Sequence, residues 1–397
     1  MKIILCFLLF PLFLCIPVYA QENNSMGEDS LEVSLLTCSP GTQIYQYYGH
    51  TALLVRDFHS GHEYVFNYGL FSFTSSYFIW RFLLGECDYL CGVTDLESFL
   101  DNYRMRQTGV REDVLNLSQE ECFRLFEALK VNCLPENATY RYNFFYDNCA
   151  TRIRDQIENC IDGDVMYSGH IADKSLRDIV HEYSKPYAWS LFGQDLLLGA
   201  EADGYASREH QEFSPVCLQH DIGEAFIKDS SGSVRPLVLR SDSLLSDGVI
   251  AYEKGFPLSP FACCMTLFVL TLMVSGWDVY RAKPCWVYDL VMLGLQGLAG
   301  LLVTFMFLFS QHPTVDSNWL VLLFNPLPLF LLYWIIGKEI RHKRSLYHAV
   351  ARIYLFVFIC ATYWIPQYIS VEVKILALCL LLRSMSNHII YEYRIRK

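Results

Sequence analysis

Tyr142-Asn143-Phe144-Phe145-Tyr146-Asp147-Asn148-Cys149-Ala150-Thr151-Arg152-Ile153-Arg154-Asp155-Gln156-Ile157 changes character at its midpoint. The first half is aromatic and reads as an extended approach, and the second has the 3.6-residue periodicity of a helix. Asn148 is a good N-cap, so Cys149 falls in the first turn of that helix. There the unpaired N–H groups and the positive end of the helix dipole favour a thiolate over a thiol. Arg152, three residues on, shares the helical face and would add positive charge. A thiolate is a competent nucleophile only when a neighbouring group manages its proton, and that group is usually a histidine.

Working outward, the candidate histidine is His50. Gly49-His50-Thr51-Ala52-Leu53-Leu54-Val55-Arg56 is rich in β-formers, as is Tyr64-Val65-Phe66-Asn67-Tyr68, and Asp57 to Gly61 between them has turn composition. The pair predicts a hairpin. With a four-residue turn over Asp57 to Ser60, Arg56 pairs with Gly61 and His50 lies opposite Asn67. Directly opposed residues share a sheet face, so Asn67 would orient the imidazole and complete a Cys149–His50–Asn67 set. His62, near the turn, is the reserve. Elsewhere, Leu31 to Leu36 predicts a short strand, Ser118-Gln119-Glu120-Glu121 is a capping box opening a helix through Lys130, and Asp229 to Asp247 reads as a polar linker.

The chain has two halves of opposite composition. Gln21 to Gly255 carries 18 Lys+Arg against 36 Asp+Glu, whereas Phe256 to Lys397 carries 12 against 6, nearly all between apolar runs. The acidic half is long enough for one substantial core, and its charge excludes nucleic-acid binding, which needs a basic footprint. Lys2, the apolar run Ile3 to Val18 and the ending Val18-Tyr19-Ala20 form a cleavable signal peptide over residues 1–20. Leu14 before Cys15 excludes a lipoprotein signal.

Five candidate spans follow, over residues 256–277, 286–310, 319–337, 346–366 and 369–390. Each is near the length that crosses a bilayer, and the last is the weakest because Glu372, Lys374 and Arg383 interrupt it. Basic residues occur in the first and third loops (Arg281, Lys283; Lys338, Arg341, Lys343, Arg344) and in the tail, and are missing from the second and fourth. That alternation places residues 21–255 outside the inner membrane and the C-terminus in the cytosol. Asn325-Pro326-Leu327-Pro328 should break the third helix and free carbonyls that need a polar neighbour.

Eight cysteines lie in the exported half: Cys38, Cys87, Cys91, Cys122, Cys133, Cys149, Cys160 and Cys217. Some would pair in an oxidising compartment, but spacing does not fix which. Cys87 and Cys91 lack a second Cys/His pair at zinc spacing, so no metal is expected. There is no Gly-rich phosphate loop, and no cofactor is expected.

The order His-on-strand, hairpin, Asn-Cys at a helix start resembles the circularly permuted papain-like fold of lecithin:retinol acyltransferase and NlpC-type relatives. Tyr48-Gly49-His50-Thr51-Ala52-Leu53, Val65-Phe66-Asn67-Tyr68-Gly69 and Tyr142 to Asp155 resemble, more specifically, the Lnb-type lipoprotein N-acyltransferases of Bacteroidota. The similarity extends to the membrane half at His312-Pro313 and Asn318 to Leu327. It implies an α+β permuted papain-like (NlpC-like) periplasmic domain over residues 21–255, then an all-α five-helix transmembrane bundle over residues 256–397. It further implies acyl transfer from a phospholipid, through a Cys149 thioester, to the α-amine of a diacylglyceryl-cysteine lipoprotein. Arg152, His312, Asn318 and Asn325 are the candidate substrate-binding residues. Where lecithin:retinol relatives use a second histidine, this strand holds Asn67. A membrane-anchored cysteine peptidase or cell-wall amidase of the same fold, and a non-enzymatic envelope scaffold with a structural Cys149, are the rival readings.

Overall fold

The computed structural model describes residues 30–71, 77–167, 173–249 and 255–395; the expected signal peptide lies outside them. The strands are β1 (Leu31–Cys38), β2 (His50–Asp57), β3 (His62–Leu70), β4 (Asp88–Asp95), β5 (Val110–Leu115), β6 (Thr139–Arg141), β7 (Asp164–Met166), β8 (Phe226–Lys228), β9 (Val234–Pro236) and β10 (Val238–Leu245). The helices of the same region are α1 (Phe78–Leu84), α2 (Leu96–Arg106), α3 (Gln119–Asn132), α4 (Cys149–Cys160), α5 (Leu176–Ser184), α6 (Ala188–Leu197), α7 (Arg208–Gln211) and α8 (Pro215–Glu224). Seven strands form an antiparallel sheet in the order β10-β5-β1-β2-β3-β4-β6, and β7, β8 and β9 make a small second sheet.

Both faces of the large sheet are covered, which is why β1 and β2 read as nearly continuous apolar runs rather than clean alternations. Val33, Leu35, Leu53, Val55 and Phe66 point to one side, against Leu125 and Leu129 of α3, Ile153 and Ile157 of α4 and Leu218 and Ile222 of α8. Leu36, Cys38, Ala52, Leu54 and Val65 point to the other, against Leu96, Phe99, Leu100 and Tyr103 of α2. The capping box predicted at Ser118 forms, with Glu121 reaching back to the Ser118 N–H at 2.6 Å.

The polar linker expected over Asp229 to Asp247 is instead mostly strand. β10 pairs with β5 as the edge of the large sheet, and most of its side chains face solvent. An edge strand needs few apolar residues, so its composition resembles a loop's.

The second half is helical: α9 (Pro260–Arg281), α10 (Trp286–Phe309), α11 (Leu327–Ile340), α12 (Leu346–Ala361) and α13 (Val371–Ile395). Among the described residues, four segments are long and apolar enough to cross a membrane, namely Pro260–Arg281, Trp286–Phe309, Trp319–Ile340 and Val371–Arg394. Here the order of strength differs from expectation. The last segment, judged weakest for its charges, is a 24-residue candidate, whereas α12 has 16 residues. Arg383 does not weaken α13 because it is buried against Asp289 at 2.7 and 2.9 Å, Asp278 at 2.8 Å and Ser275 at 3.1 Å. A charge so paired is tolerated inside a bundle.

The third span is broken where the prolines predict. A 3-10 turn over Trp319–Leu322 precedes α11. The freed carbonyl of Leu323 accepts from Gln296 Nε2 at 2.9 Å, and that of Leu322 accepts from the Tyr354 hydroxyl. The loops without basic residues grip the sheet-bearing domain. Asn318 Nδ2 donates to the carbonyl of Leu196 at 2.8 Å, and Gln367 Nε2 donates to that of Leu198 at 3.0 Å.

Candidate active site

Cys149 opens α4 as the sequence predicts. The Asn148 side-chain oxygen accepts from the N–H groups of Ala150 at 2.8 Å and Thr151 at 3.1 Å, and Thr151 Oγ1 accepts from the Asn148 N–H at 2.9 Å. The Asn148 amide nitrogen donates to the carbonyls of Phe144 and Phe213, both at 2.9 Å. This buried cap therefore fixes the helix start from both sides, and a lost cap of this kind costs about 1 kcal/mol. Behind it, Ala150, Ile153, Ile157 and Cys160 bury the apolar face of α4.

The half-buried Cys149 meets His50 at the start of β2. Gly49, at φ 78°, makes the turn into that strand. It also lies against the Cys38 carbonyl, where any Cβ would collide, so only glycine fits there. His50 Nε2 is 2.8 Å from Asn67 Oδ1, and the same oxygen accepts from the Gly69 N–H at 2.9 Å. Because that second bond identifies the Asn67 atom as the carbonyl oxygen, Nε2 must carry a hydrogen and Nδ1 is left to exchange a proton. Gly69 faces the ring: a Cβ there would sit 2.6 Å from His50 Cε1.

The hairpin register differs from expectation by two residues. Arg56 pairs with Glu63 and Asn67 with Ala52, so the turn spans residues 58–61 instead of 57–60. A shift of two preserves the sheet face, so Asn67 still reaches His50, diagonally. His62 pairs with Asp57 beside the turn, at the far end of the strands.

Burial alone pushes the Cys149 thiol up. The charge and hydrogen bond of His50, with the backbone N–H groups of Thr51 and Ala150, outweigh it and hold the thiol below its ordinary value. Burial likewise pulls the His50 imidazolium down, but the Cys149 thiolate and the bond to Asn67 raise it overall, against a smaller opposing effect from Arg106. Each partner stabilises the charged form of the other, which favours a thiolate–imidazolium pair. Two buried thiols show the contrast: burial pushes Cys38 and Cys122 up to about 12, whereas Cys133 is lowered by its hydrogen bond with Cys91 and has no histidine beside it. Cys91 lies with its sulfur 2.9 Å from that of Cys133, a neighbour that spacing did not fix.

The other sequence candidates are placed elsewhere. Arg152 does not touch the thiol. It forks onto Asp147, with Nε at 2.5 Å and Nη2 at 2.8 Å, and lies 3.8 Å over the Tyr140 ring, bracing the loop that enters α4. His312 Nε2 donates to the Phe82 carbonyl at 2.6 Å, tying the α10 end to α1. Asn318 clamps the end of α6, and Asn325 bonds its own turn through Leu322 and Leu327. Each of the four thus has a contact that holds the fold. The Ala150 N–H is one of the helix-start donors expected from the sequence, whereas the N–H of Thr51 was not anticipated, being main chain on a distant strand that leaves no side-chain signal.

Residues 19–168 match a family model described as the Lnb N-terminal periplasmic domain, and residues 251–394 match one described as the Lnb transmembrane domain. No curated protein and no solved structure matches the chain.

Proposed function

As the chain belongs to the Lnb family, a membrane protein with a periplasmic domain, we propose that it is a lipoprotein N-acyltransferase of the inner membrane with Cys149 as nucleophile. The observation that carries this reading is the thiol at a capped helix start, paired with an imidazole that Asn67 orients. The thiolate attacks the carbonyl carbon of a phospholipid acyl ester. The oxyanion is held at the start of α4, where Asn148 occupies the N–H groups of Ala150 and Thr151 and leaves that of Cys149. Collapse forms the thioester, and the His50 proton goes to the departing lysophospholipid oxygen. The α-amine of a diacylglyceryl-cysteine lipoprotein then attacks the thioester, His50 takes its proton, and the amide forms as the thiolate leaves.

Residues 1–20 act as signal peptide, 21–255 as the periplasmic catalytic domain and 256–397 as the membrane domain. The strand, hairpin and helix-borne cysteine support a permuted papain-like fold. Five spans are supported by where α12 begins and ends: it starts beside the basic loop Lys338 to Arg344, and the segment after it reaches the periplasmic domain through Gln367. At 1.5 Å per residue, α12 and the turn after it cover most of the hydrocarbon.

The decisive experiment is mass spectrometry of N-terminal lipopeptides from cells with and without the protein. Triacylated peptides should require it, with the added chain traceable to labelled phospholipid. Unchanged lipopeptides would overturn the reading, and cleavage of cell-wall peptides would favour the amidase alternative.

A further inference from the structure

Helix α1 is amphipathic in an unusual direction for a water-facing domain. Tyr77, Ile79, Trp80 and Phe82 are 80%, 73%, 59% and 49% exposed. Arg81 turns away from them to Asp88. A cluster of this kind on a soluble surface marks a contact site.

Its position identifies the contact. Gln311, just past α10, donates its N–H to the Leu84 carbonyl at 2.8 Å, and His312 holds the Phe82 carbonyl. Trp80 lies edge-on to Phe305 at 6.2 Å, and the Phe305 ring is tilted against Phe309 at 5.4 Å. Phe305 is four residues before the end of α10, so the indole sits about 6 Å inside the helical end of a membrane span. The exposed faces are continuous, since Leu301, Leu308 and Phe309 of α10 are 47%, 60% and 61% exposed. Around the same end of the bundle, Trp319, Tyr363 and Trp364 are exposed as well. Together with Tyr77 and Trp80 they form the aromatic belt expected at a membrane–water boundary.

We propose that α1 lies in the periplasmic leaflet of the membrane, with Tyr77, Ile79, Trp80 and Phe82 covered by lipid acyl chains, so that the sheet edge next to Cys149 is pressed onto the bilayer. α1 is followed directly by β4, whose Tyr89 stacks on Tyr142 at 4.1 Å on one side and on Phe71 at 4.8 Å on the other. Tyr89, Tyr142 and Cys149 all pack against the core of the domain, and both tyrosines lie within reach of the Cys149 charge. Aromatic surface thus runs from the leaflet toward the thiol. This part rests on the acyl-transfer reading; the placement of α1 does not.

The test uses the full-length protein in phosphatidylethanolamine and phosphatidylglycerol vesicles, a fraction of whose acyl chains carry a photoactivatable diazirine. After illumination, the 77–84 peptide should carry lipid adducts at a level comparable with the spans. The turn around Phe58, also exposed but at the opposite end of the hairpin, should carry none. Absence of adducts on 77–84 while the spans are labelled overturns the proposal. Ile79→Asp with Trp80→Asp should lower transfer from bilayer phospholipid at least tenfold while leaving the rate of Cys149 alkylation by a soluble reagent unchanged. Undiminished bilayer transfer also overturns it. Adducts in a protein that transfers no acyl chain would sink the acyltransferase reading and leave the helix in the leaflet.

Discussion

Helix α4 begins with one cysteine and ends with another, and the two ends treat the same side chain in opposite ways. Cys149 sits at the positive end of the dipole beside His50, and its thiol is held below the ordinary value. Cys160 sits at the negative end, where burial and the neighbouring Glu121 push it up to about 12, and its S–H is committed to the Ile157 carbonyl at 3.0 Å. Cys149 is half-buried and Cys160 buried, and burial raises the thiol of both, so burial is not what sends them in opposite directions. What separates them is whether an ordered donor awaits the negative charge.

The largest effect should come from removing the reactive end. Cys149→Ala should reduce N-acylation to background at equal protein level, as read from lipoprotein N-terminal lipopeptides. Normal lipopeptides from that variant would end the nucleophile assignment. Next is the partner that makes the ends differ. His50→Ala should lower transfer about 10³-fold, the scale of general acid–base catalysis.

The pH dependence follows from the same pair. In the wild type the thiolate persists below the pH at which an ordinary cysteine protonates, and reactivity falls only as pH drops through the depressed Cys149 value. Transfer should also fall on the alkaline side, as pH rises through the raised His50 value and the proton for the leaving oxygen is lost. The result is a bell-shaped profile. In His50→Ala, burial is no longer outweighed, so the pH of half-maximal Cys149 alkylation should move up toward the Cys160 range. An unmoved midpoint, measured by mass spectrometry of the two peptides, would place the cause in the helix alone.

A smaller loss should follow Asn67→Ala, which keeps nucleophile and base but frees the ring. About a hundredth of the activity should remain, comparable with losing one preorganised hydrogen bond in a site, while His62→Ala should match wild type. Equal activity of Asn67→Ala and wild type would mean that Gly69 and the strand alone position His50. The smallest effect belongs to the inert end. Cys160→Ala should leave transfer unchanged and lower unfolding stability by about 1 kcal/mol, as for a small core deletion. A transfer defect at equal stability would make the two cysteines less different than their surroundings imply.

The reactive end was legible because its signals are local. An N-cap, a helix start and a β-rich hairpin are each written in a few adjacent residues, and the shared face of His50 and Asn67 survives the two-residue register shift because sheet faces repeat every two. What was not legible depends on distant partners. β10 resembles a linker until β5 lies beside it. The charges of α13 look unfavourable until Asp278 and Asp289 meet Arg383, and the contacts of His312 with α1 and of Asn318 with α6 cannot be read until those elements lie beside them. α1 itself is too short for periodicity to single out, and its meaning comes from the span it rests on.

The Arg383 cluster has a consequence for synthesis. Asp289 and Asp278 leave the ribosome 94 and 105 residues before Arg383. Until α13 inserts, two carboxylates at the ends of α9 and α10 wait for the one guanidinium that neutralises them, and a buried charge left without its partner costs about 3–5 kcal/mol. The final helix therefore closes the bundle as a key closes a lock. A chain released before α13 should carry a charged gap in its bundle and be less stable than the full-length protein.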